Sequence, residues 1–385
     1  MSQKLTTEYS PETRLAQALG YVDDSTQGLV PPIYTSTTYL RDEDNQYRSG
    51  RVYSRADNPT YSPVERVLMS LEQGTDALLF SSGMAAATAV FQGLPAGSHV
   101  IAPTVMYWAL RAWLLNWGRD WGLRVSFVDT SDITAIEAAV IPGETALIWL
   151  ETPANPLWGV SDIAAISELA HHHGAKVAVD STVATPLLTQ PLSLGADYVM
   201  HSATKYLNGH SDVIAGALIT RSVDPIWEKI RMVRKQGGAV LSPHDANQLL
   251  RGMRTMHLRV RESCQSAQWL AEQLQQCADV AQVLYPGLPD FPGHAIAAKQ
   301  MQGGFGGMLS IRLQGGEQSA IQTAARTQLW KRATSLGGVE SLIEHRASIE
   351  GPDTPVPSDL LRLSVGIERK EELLADLLQA FAAAQ

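Results

Sequence analysis

The sequence predicts an α/β fold: a doubly wound, mostly parallel sheet followed by a smaller C-terminal α/β domain. Three observations carry this. Between residues 58 and 245 short apolar runs alternate with helical patterns, as expected for strands joined by crossover helices. From residue 246 onward the pattern shifts to a long amphipathic helix with sparse strands. A chain of 385 residues is also too long for one small core. The expected division is 1–57 as an extended N-terminal arm, 58–245 as a large domain and 246–385 as a smaller one.

Taken in order, Gly28 to Tyr39 carries Pro31-Pro32 and β-branched residues without a helical period, so it reads as extended chain. Such an arm must dock on something, and a partner subunit is one option. Tyr61 to Glu72 places Val64, Val67, Leu68 and Leu71 on one side of a helix. Ala77 to Phe80 is strand-like and runs through a Ser-Ser-Gly turn into a helix at Ala85–Phe91. Further strands are expected at His99–Ala102, Leu123–Val128, Thr145–Leu150, Lys176–Asp180 and Asp197–Met200. Ile163–His173 is a helix ended by Gly174. Asp245 to Gln276 reads as one helix carrying Leu249, Leu250, Met253, Met256 and Leu258. The loop Tyr285–Gly293, a strand at Met308–Leu313 and a C-terminal helix follow. In doubly wound sheets ligands bind at the carboxyl ends of the strands.

Composition excludes several classes of function. With 30 basic and 39 acidic residues the formal charge is −9, and bulk charge cannot hold nucleic acid or an anionic membrane. Two cysteines, Cys264 and Cys277, form no CxxC pair and fit a reducing, cytoplasmic setting, with core packing as their expected role. Met1 to Leu19 lacks the apolar core of a signal peptide, and no apolar run is long enough to span a membrane. His171-His172-His173 ends a helix with no acidic or thiol partner at ligand spacing, so no metal is expected there. Gly303-Gly-Phe-Gly-Gly307 precedes a strand rather than a helix, which argues against a dinucleotide fingerprint.

The chemistry rests on Val179-Asp180 and on His201-Ser-Ala-Thr-Lys205. A carboxylate at a strand end is commonly a helix cap, and a lone lysine is commonly solvated. Together they suit pyridoxal phosphate, which needs an amine for a Schiff base, an anion for its ring nitrogen and donors for its phosphate. Lys205 supplies the amine, and a nearby cation would lower its pKa. Asp180 supplies the anion, and Ser202 and Thr204 supply hydroxyl donors on either side of the lysine. The turn Ser81-Ser82-Gly83-Met84 opens a helix whose backbone N–H groups can bind a phosphate.

Further segments accompany these: Tyr53-Ser-Arg-Ala-Asp-Asn-Pro-Thr60, Glu151-Thr-Pro-Ala-Asn-Pro156, Gly209-His-Ser-Asp212, Ser335-Leu-Gly-Gly-Val-Glu-Ser341 and Leu361-Arg-Leu-Ser-Val-Gly-Ile-Glu368. From about Gly28 to the C-terminus the set resembles the trans-sulfuration (Cys/Met metabolism) family of pyridoxal-phosphate enzymes, which includes cystathionine γ-synthase, γ-lyase, β-lyase and methionine γ-lyase. The resemblance implies the aspartate aminotransferase type of fold, with 58–245 as the cofactor-binding domain. It also implies self-association, as a homotetramer built from two dimers. Lys205 resembles the Schiff-base and proton-shuttling lysine, Asp180 the partner of the ring nitrogen, and Gly83, Met84, Ser202 and Thr204 the phosphate donors. Tyr107 resembles the tyrosine stacked on the ring, which also assists catalysis. Tyr53 and Arg55 resemble the pair that reaches the phosphate of the neighbouring subunit, which would give the arm its purpose. Arg362 resembles the clamp for the substrate α-carboxylate, with Asn155 and Ser335 as helpers and Thr334 and Arg111 facing the substrate.

The chain departs from the family at positions that bear on substrate. Val52 and Thr334 stand where relatives acting on cystathionine carry acids or a tyrosine, so a distal ammonium group has no partner from either residue. Trp108-Ala-Leu-Arg111 follows Tyr107 in place of Gly-Gly-Thr or the cysteine of methionine γ-lyase, and Arg111 with Trp108, Trp113, Trp117 and Trp121 forms an expected wall at the mouth. The segment Glu344–Pro357 is short, with Arg346 where proline is common. The expected activity is γ-elimination or γ-replacement on a homoserine-derived or sulfur-containing amino acid. The alternatives are β-elimination from cystathionine or a cysteine conjugate, methionine γ-lyase activity, or release of a non-sulfur group as from canavanine. Beyond these stand an aminotransferase and a non-catalytic cofactor carrier or scaffold.

Overall fold

The computed structural model describes residues 9–55, 57–351 and 354–384. The first eight residues of the expected arm, Ala56 and the Pro352-Asp353 pair of the short loop lie outside them. The main sheet has seven strands: β1 (Asp76–Phe80), β2 (His99–Pro103), β3 (Arg124–Val128), β4 (Thr145–Glu151), β5 (Lys176–Asp180), β6 (Tyr198–His201) and β7 (Gly216–Thr220). Their spatial order is β1-β7-β6-β5-β4-β2-β3, and only β7 runs against its neighbours. The apolar runs are buried on both faces, which is why they lack polar alternation. The strand β7 has no counterpart in the sequence reading, because Gly216-Ala-Leu-Ile-Thr220 follows an irregular segment after Lys205 without a helix before it.

A second sheet is built from β8 (Val280–Leu284), β9 (Met308–Leu313), β10 (Lys331–Arg332), β11 (Leu342–His345) and β12 (Leu360–Ser364), in the order β10-β11-β12-β9-β8. Only β9 is legible as a strand in the sequence. The expected helix from Asp245 to Gln276 is instead two, Pro243–Met253 and Met256–Leu274. At the break Gly252 packs against the backbone of Asn208, where a Cβ would lie 2.3 Å from the Asn208 carbonyl oxygen. The buried Arg259 then donates to the Gly252 carbonyl at 2.7 Å, satisfying a group the interrupted helix releases. Cys264 is buried on the second helix, whereas Cys277 lies beyond its end.

Among the described residues of the expected arm the first element is a docked helix, Pro11–Ala16, capped by Ser10. Its Leu15 is buried and Arg14 donates to the Ser70 carbonyl oxygen at 2.6 Å. From Tyr21 to Tyr53 the described chain has no helix, and its only strand-like pairing is Thr38 with Tyr53. Leu29, Val30 and Leu40 there are exposed. The two sheets are joined near the site by Trp158, whose indole N–H donates to Ser310 Oγ on β9 at 2.9 Å. Ser310 Oγ in turn donates to the Pro156 carbonyl oxygen at 2.8 Å.

Candidate active site

Segments following β1, β2, β4, β5 and β6 meet at one edge of the main sheet. Gly83, Met84, Tyr107, Glu151, Asn155, Asp180, Ser202, Thr204 and Lys205 line one cavity of about 250 Å³, with Leu336 entering from the second sheet. This is the carboxyl edge at which a doubly wound sheet binds ligands.

At one end the helix Gly83–Gln92 starts with Ser82 as its cap, accepting from the Ala85 N–H at 3.0 Å. A Cβ on Gly83 would lie 2.7 Å from Ser202 Oγ, so glycine is what lets the helix start approach this serine. The Ser202 N–H donates to Thr182 Oγ1 at 2.8 Å. Thr204 Oγ1 donates to the Ala215 carbonyl oxygen at 3.2 Å and accepts its N–H at 3.0 Å, so this hydroxyl is turned toward the start of β7. The helix start and the Ser202 hydroxyl together form a cradle for an anion of phosphate size.

Beneath the cavity Asp180 ends β5 in register with Glu151 at the end of β4. Asp180 is 8% exposed, and Oδ1 accepts the Thr182 N–H at 3.0 Å. Burial pushes its carboxyl upward, so an ionised Asp180 calls for a cationic partner. Glu151 accepts the Tyr107 N–H on Oε2 at 2.7 Å and the Asn155 N–H on Oε1 at 2.9 Å. Burial, and then the charge of Asp180, push Glu151 up to about 8. Tyr107, 39% exposed, forms one wall, and burial raises its phenol as well.

Lys205 Nζ donates to Ser335 Oγ at 2.6 Å. Burial, and then the charge of Arg362, hold its amine down to about 8. Ser335 has a φ of +91°, a conformation an L-residue adopts at a cost of about 1–3 kcal/mol. Held in this way, its hydroxyl meets Lys205 and its carbonyl oxygen accepts from Arg362 Nη2 at 2.7 Å. Arg362 lies on β12 in register with Glu344 of β11. Its Nη1 donates to Asn155 Oδ1 at 3.3 Å, and Nη2 pairs with Glu344 Oε2 at 2.7 Å. Burial lowers the guanidinium to about 10.

The structure thus gathers Lys205, Asp180, Gly83, Met84, Ser202, Thr204, Tyr107 and Asn155 at one cavity, with Ser335 and Arg362 in contact with members of that group. It does not gather the rest. Tyr53 is 51% exposed, and the Arg55 guanidinium lies 5.6 Å over the Tyr53 ring. Thr334 is exposed and does not line the cavity. Arg111 stacks 5.2 Å over Phe127 of β3, and Leu110 lines the cavity in its place. Of the tryptophans, Trp117 and Trp121 are exposed and Trp113 packs on Phe91. His171 does not line the cavity; its Nε2 lies 2.9 Å from Asp197 Oδ2.

Sequence reasoning missed Glu151, Thr182 and Glu344, and the pairing of Arg346 with Glu344 at 2.7 Å. Glu151 had a visible signal, since it ends a strand and opens the Glu-Thr-Pro-Ala-Asn-Pro segment. Thr182 had none beyond its place two residues after Asp180.

The anion cradle, the buried carboxyl and the amine of lowered basicity fit pyridoxal phosphate. Residues 12–382 match the family described as Cys/Met metabolism PLP-dependent enzyme. A cystathionine gamma-synthase of Mycobacterium tuberculosis is 45% identical over 377 residues, covering 96% of each chain. An L-methionine gamma-lyase of Pseudomonas deceptionensis is 41% identical over 375 residues, covering 92% of this chain and 93% of that protein. The crystal structure of metB from Corynebacterium glutamicum superimposes with a TM-score of 0.94 at 40% identity, covering 98% of this chain and 99% of that one.

Proposed function

The chain belongs to the Cys/Met metabolism family of pyridoxal-phosphate-dependent enzymes, and from that premise we propose that it eliminates or replaces a substituent at Cγ of an amino acid. The observation that carries this reading is Ser335, whose hydroxyl accepts from Lys205 at 2.6 Å and whose carbonyl oxygen accepts from Arg362 at 2.7 Å, beside a cavity that Lys205 shares with Asp180. The similarity to a γ-synthase at 45% and a γ-lyase at 41% supports chemistry at Cγ.

When bound, pyridoxal phosphate supplies an aldehyde and an electron-withdrawing ring that accepts charge from Cα. Gly83, Met84 and Ser202 would hold its phosphate, with Thr204 available if its hydroxyl left Ala215, and Asp180 would hold the ring nitrogen in its protonated form. Arg362 binds the substrate carboxylate and is itself steadied by Asn155 and the Ser335 carbonyl. Lys205, with an amine of about 8, is neutral often enough near pH 7 to take the proton at Cα. Departure from Cγ also requires a proton to leave Cβ, and Lys205 would serve that step too, once it has passed on the proton taken from Cα. Tyr107, on the cavity wall, would cover the ring and limit its contact with water.

Distal specificity follows from the cavity lining, in which Met84, Leu110, Pro153, Val183 and Leu336 make much of the wall apolar, while Val52 and Thr334 are exposed outside it. A homoserine-derived or sulfur-containing substrate without a distal ammonium group suits this lining. The exposed Tyr53 and Arg55 support a site completed between two subunits, in the homotetramer the family resemblance implies. A panel of Cβ- and Cγ-substituted amino acids, with and without a thiol acceptor, tests the reading by product mass. The expected products are 2-oxobutyrate or a new thioether; pyruvate as the main product refutes Cγ chemistry.

A further inference from the structure

Beside the cavity four buried side chains alternate in charge: Arg362, Glu344, Arg346 and Glu350. Their side-chain exposures are 4%, 6%, 2% and 8%. Arg362 Nη2 and Arg346 Nη1 both lie 2.7 Å from the same atom, Glu344 Oε2. The other oxygen, Glu344 Oε1, is buried without a hydrogen-bond partner. Arg346 also reaches Glu350 Oε1, from Nη2 at 2.7 Å and Nε at 3.2 Å. Thr354 Oγ1 donates to Glu350 Oε2 at 2.6 Å, which ties the short loop to the row.

A carboxylate shared by two guanidinium groups compensates each less fully than it would compensate one. If Arg346 were absent, Glu344 would face Arg362 alone and neutralise it. An incoming carboxylate would then meet a charge already paired and desolvated. We propose that Arg346 is a positioning residue for the substrate carboxylate: by holding Glu344 Oε2 it leaves Arg362 with charge to offer. This rests on the reading of Arg362 as the carboxylate clamp.

The test compares R346M with R346M/E350Q in the cofactor-loaded full chain. The double variant removes one positive and one negative group, so the row keeps its net charge while Glu344 still loses its second partner. In both, the KM for the amino-acid substrate is expected to rise about tenfold or more with kcat changed less than about threefold, the signature of lost ground-state binding. A second readout uses cofactor-free protein. Uptake of pyridoxal phosphate needs the neutral Lys205 amine, which faces Arg362, Glu344 and Arg346. Losing Arg346 while Glu344 remains should move the pH midpoint of uptake upward. A brace that acts only on the loop would lower the melting temperature and leave KM and midpoint as in the wild type; that result overturns the proposal. Recovery of the wild-type KM in the double variant overturns it as well, since Glu344 is unshared there too. If R346M does not accumulate as folded protein, the double variant decides. R362K is measured alongside: an unchanged KM in that variant refutes the clamp reading itself, independently of Arg346.

Discussion

Replacing Glu151 by glutamine perturbs the floor of the site at one defined point. The two Glu151 oxygens each accept one backbone N–H, from Tyr107 at 2.7 Å and from Asn155 at 2.9 Å. Glutamine keeps one acceptor and turns an amide N–H₂ toward the other donor. One buried N–H is left unpaired, a loss of about 1–3 kcal/mol. The carboxyl itself adds an opposing, pH-dependent effect. Its folded pKa of about 8 stands above the ordinary 4.5, so the stability it contributes is fully present below pH 4.5 and is lost as pH rises to about 8. Each pH unit in that window is worth about 1.4 kcal/mol, which sets a ceiling of about 5 kcal/mol across it. Glutamine does not titrate and escapes this loss. E151Q is therefore expected to be less stable than the wild type near pH 5, and the gap should close or reverse by pH 8. Urea unfolding of cofactor-free protein at pH 5, 6, 7 and 8 measures this directly. Parallel stability curves for the two proteins would refute the argument, because they would show that Glu151 does not carry its proton across this range.

Three other outcomes follow from the same geometry. K205A is expected to lose turnover by at least about 10³-fold while remaining folded, and borohydride reduction of the wild-type holoenzyme should fix the cofactor on Lys205, as peptide mass mapping will show. G83A places a methyl group 2.7 Å from Ser202 Oγ, so the dissociation constant for pyridoxal phosphate should rise about tenfold to a hundredfold by equilibrium dialysis, with the circular dichroism of the cofactor-free protein unchanged. R55A should weaken cofactor retention, and mixing it with K205A should restore some activity if each site draws on two chains; no restoration in verified mixed oligomers refutes the shared site.

Much of the main sheet was legible because its buried strands are short apolar runs separated by helices and glycine turns. The residues at its carboxyl edge were legible for the same reason: Asp180, Lys205, Ser202 and Gly83 each follow a recognisable strand. The second sheet was mostly hidden. Its strands β10 and β11 are two and four residues long, and their pairing depends on contacts between distant segments. The helix break at Arg254–Thr255 was invisible because the contacts around it, Gly252 against Asn208 and Arg259 to the Gly252 carbonyl, are made only in the folded chain. Glu344 and Arg346 read as ordinary charges in a loop, and only the register of β11 with β12 brings Glu344 against Arg362. Arg111 looked like a substrate contact by position, but the aromatic face of Phe127 holds it elsewhere.

The division of labour between the two sheets has a chemical consequence. Residues suited to the cofactor, from Gly83 to Lys205, come from the main sheet, whereas Ser335 and Arg362 come from the second. Two side-chain contacts cross between them at the site, Lys205 with Ser335 and Arg362 with Asn155. Trp158, Ser310 and the Pro156 carbonyl form a third link just behind Asn155. A small displacement of the second sheet therefore moves Arg362, the proposed carboxylate clamp, relative to Asp180, the proposed ring-nitrogen partner, without displacing the turn at Gly83 or Ser202. S310A removes both hydrogen bonds of that rear link and touches neither cofactor nor substrate. It should raise the KM for the amino acid several-fold and leave the cofactor dissociation constant within about twofold of the wild type. Equal losses in both quantities would show that the two sheets hold the site as one unit, and that the separation of roles argued from their geometry does not operate.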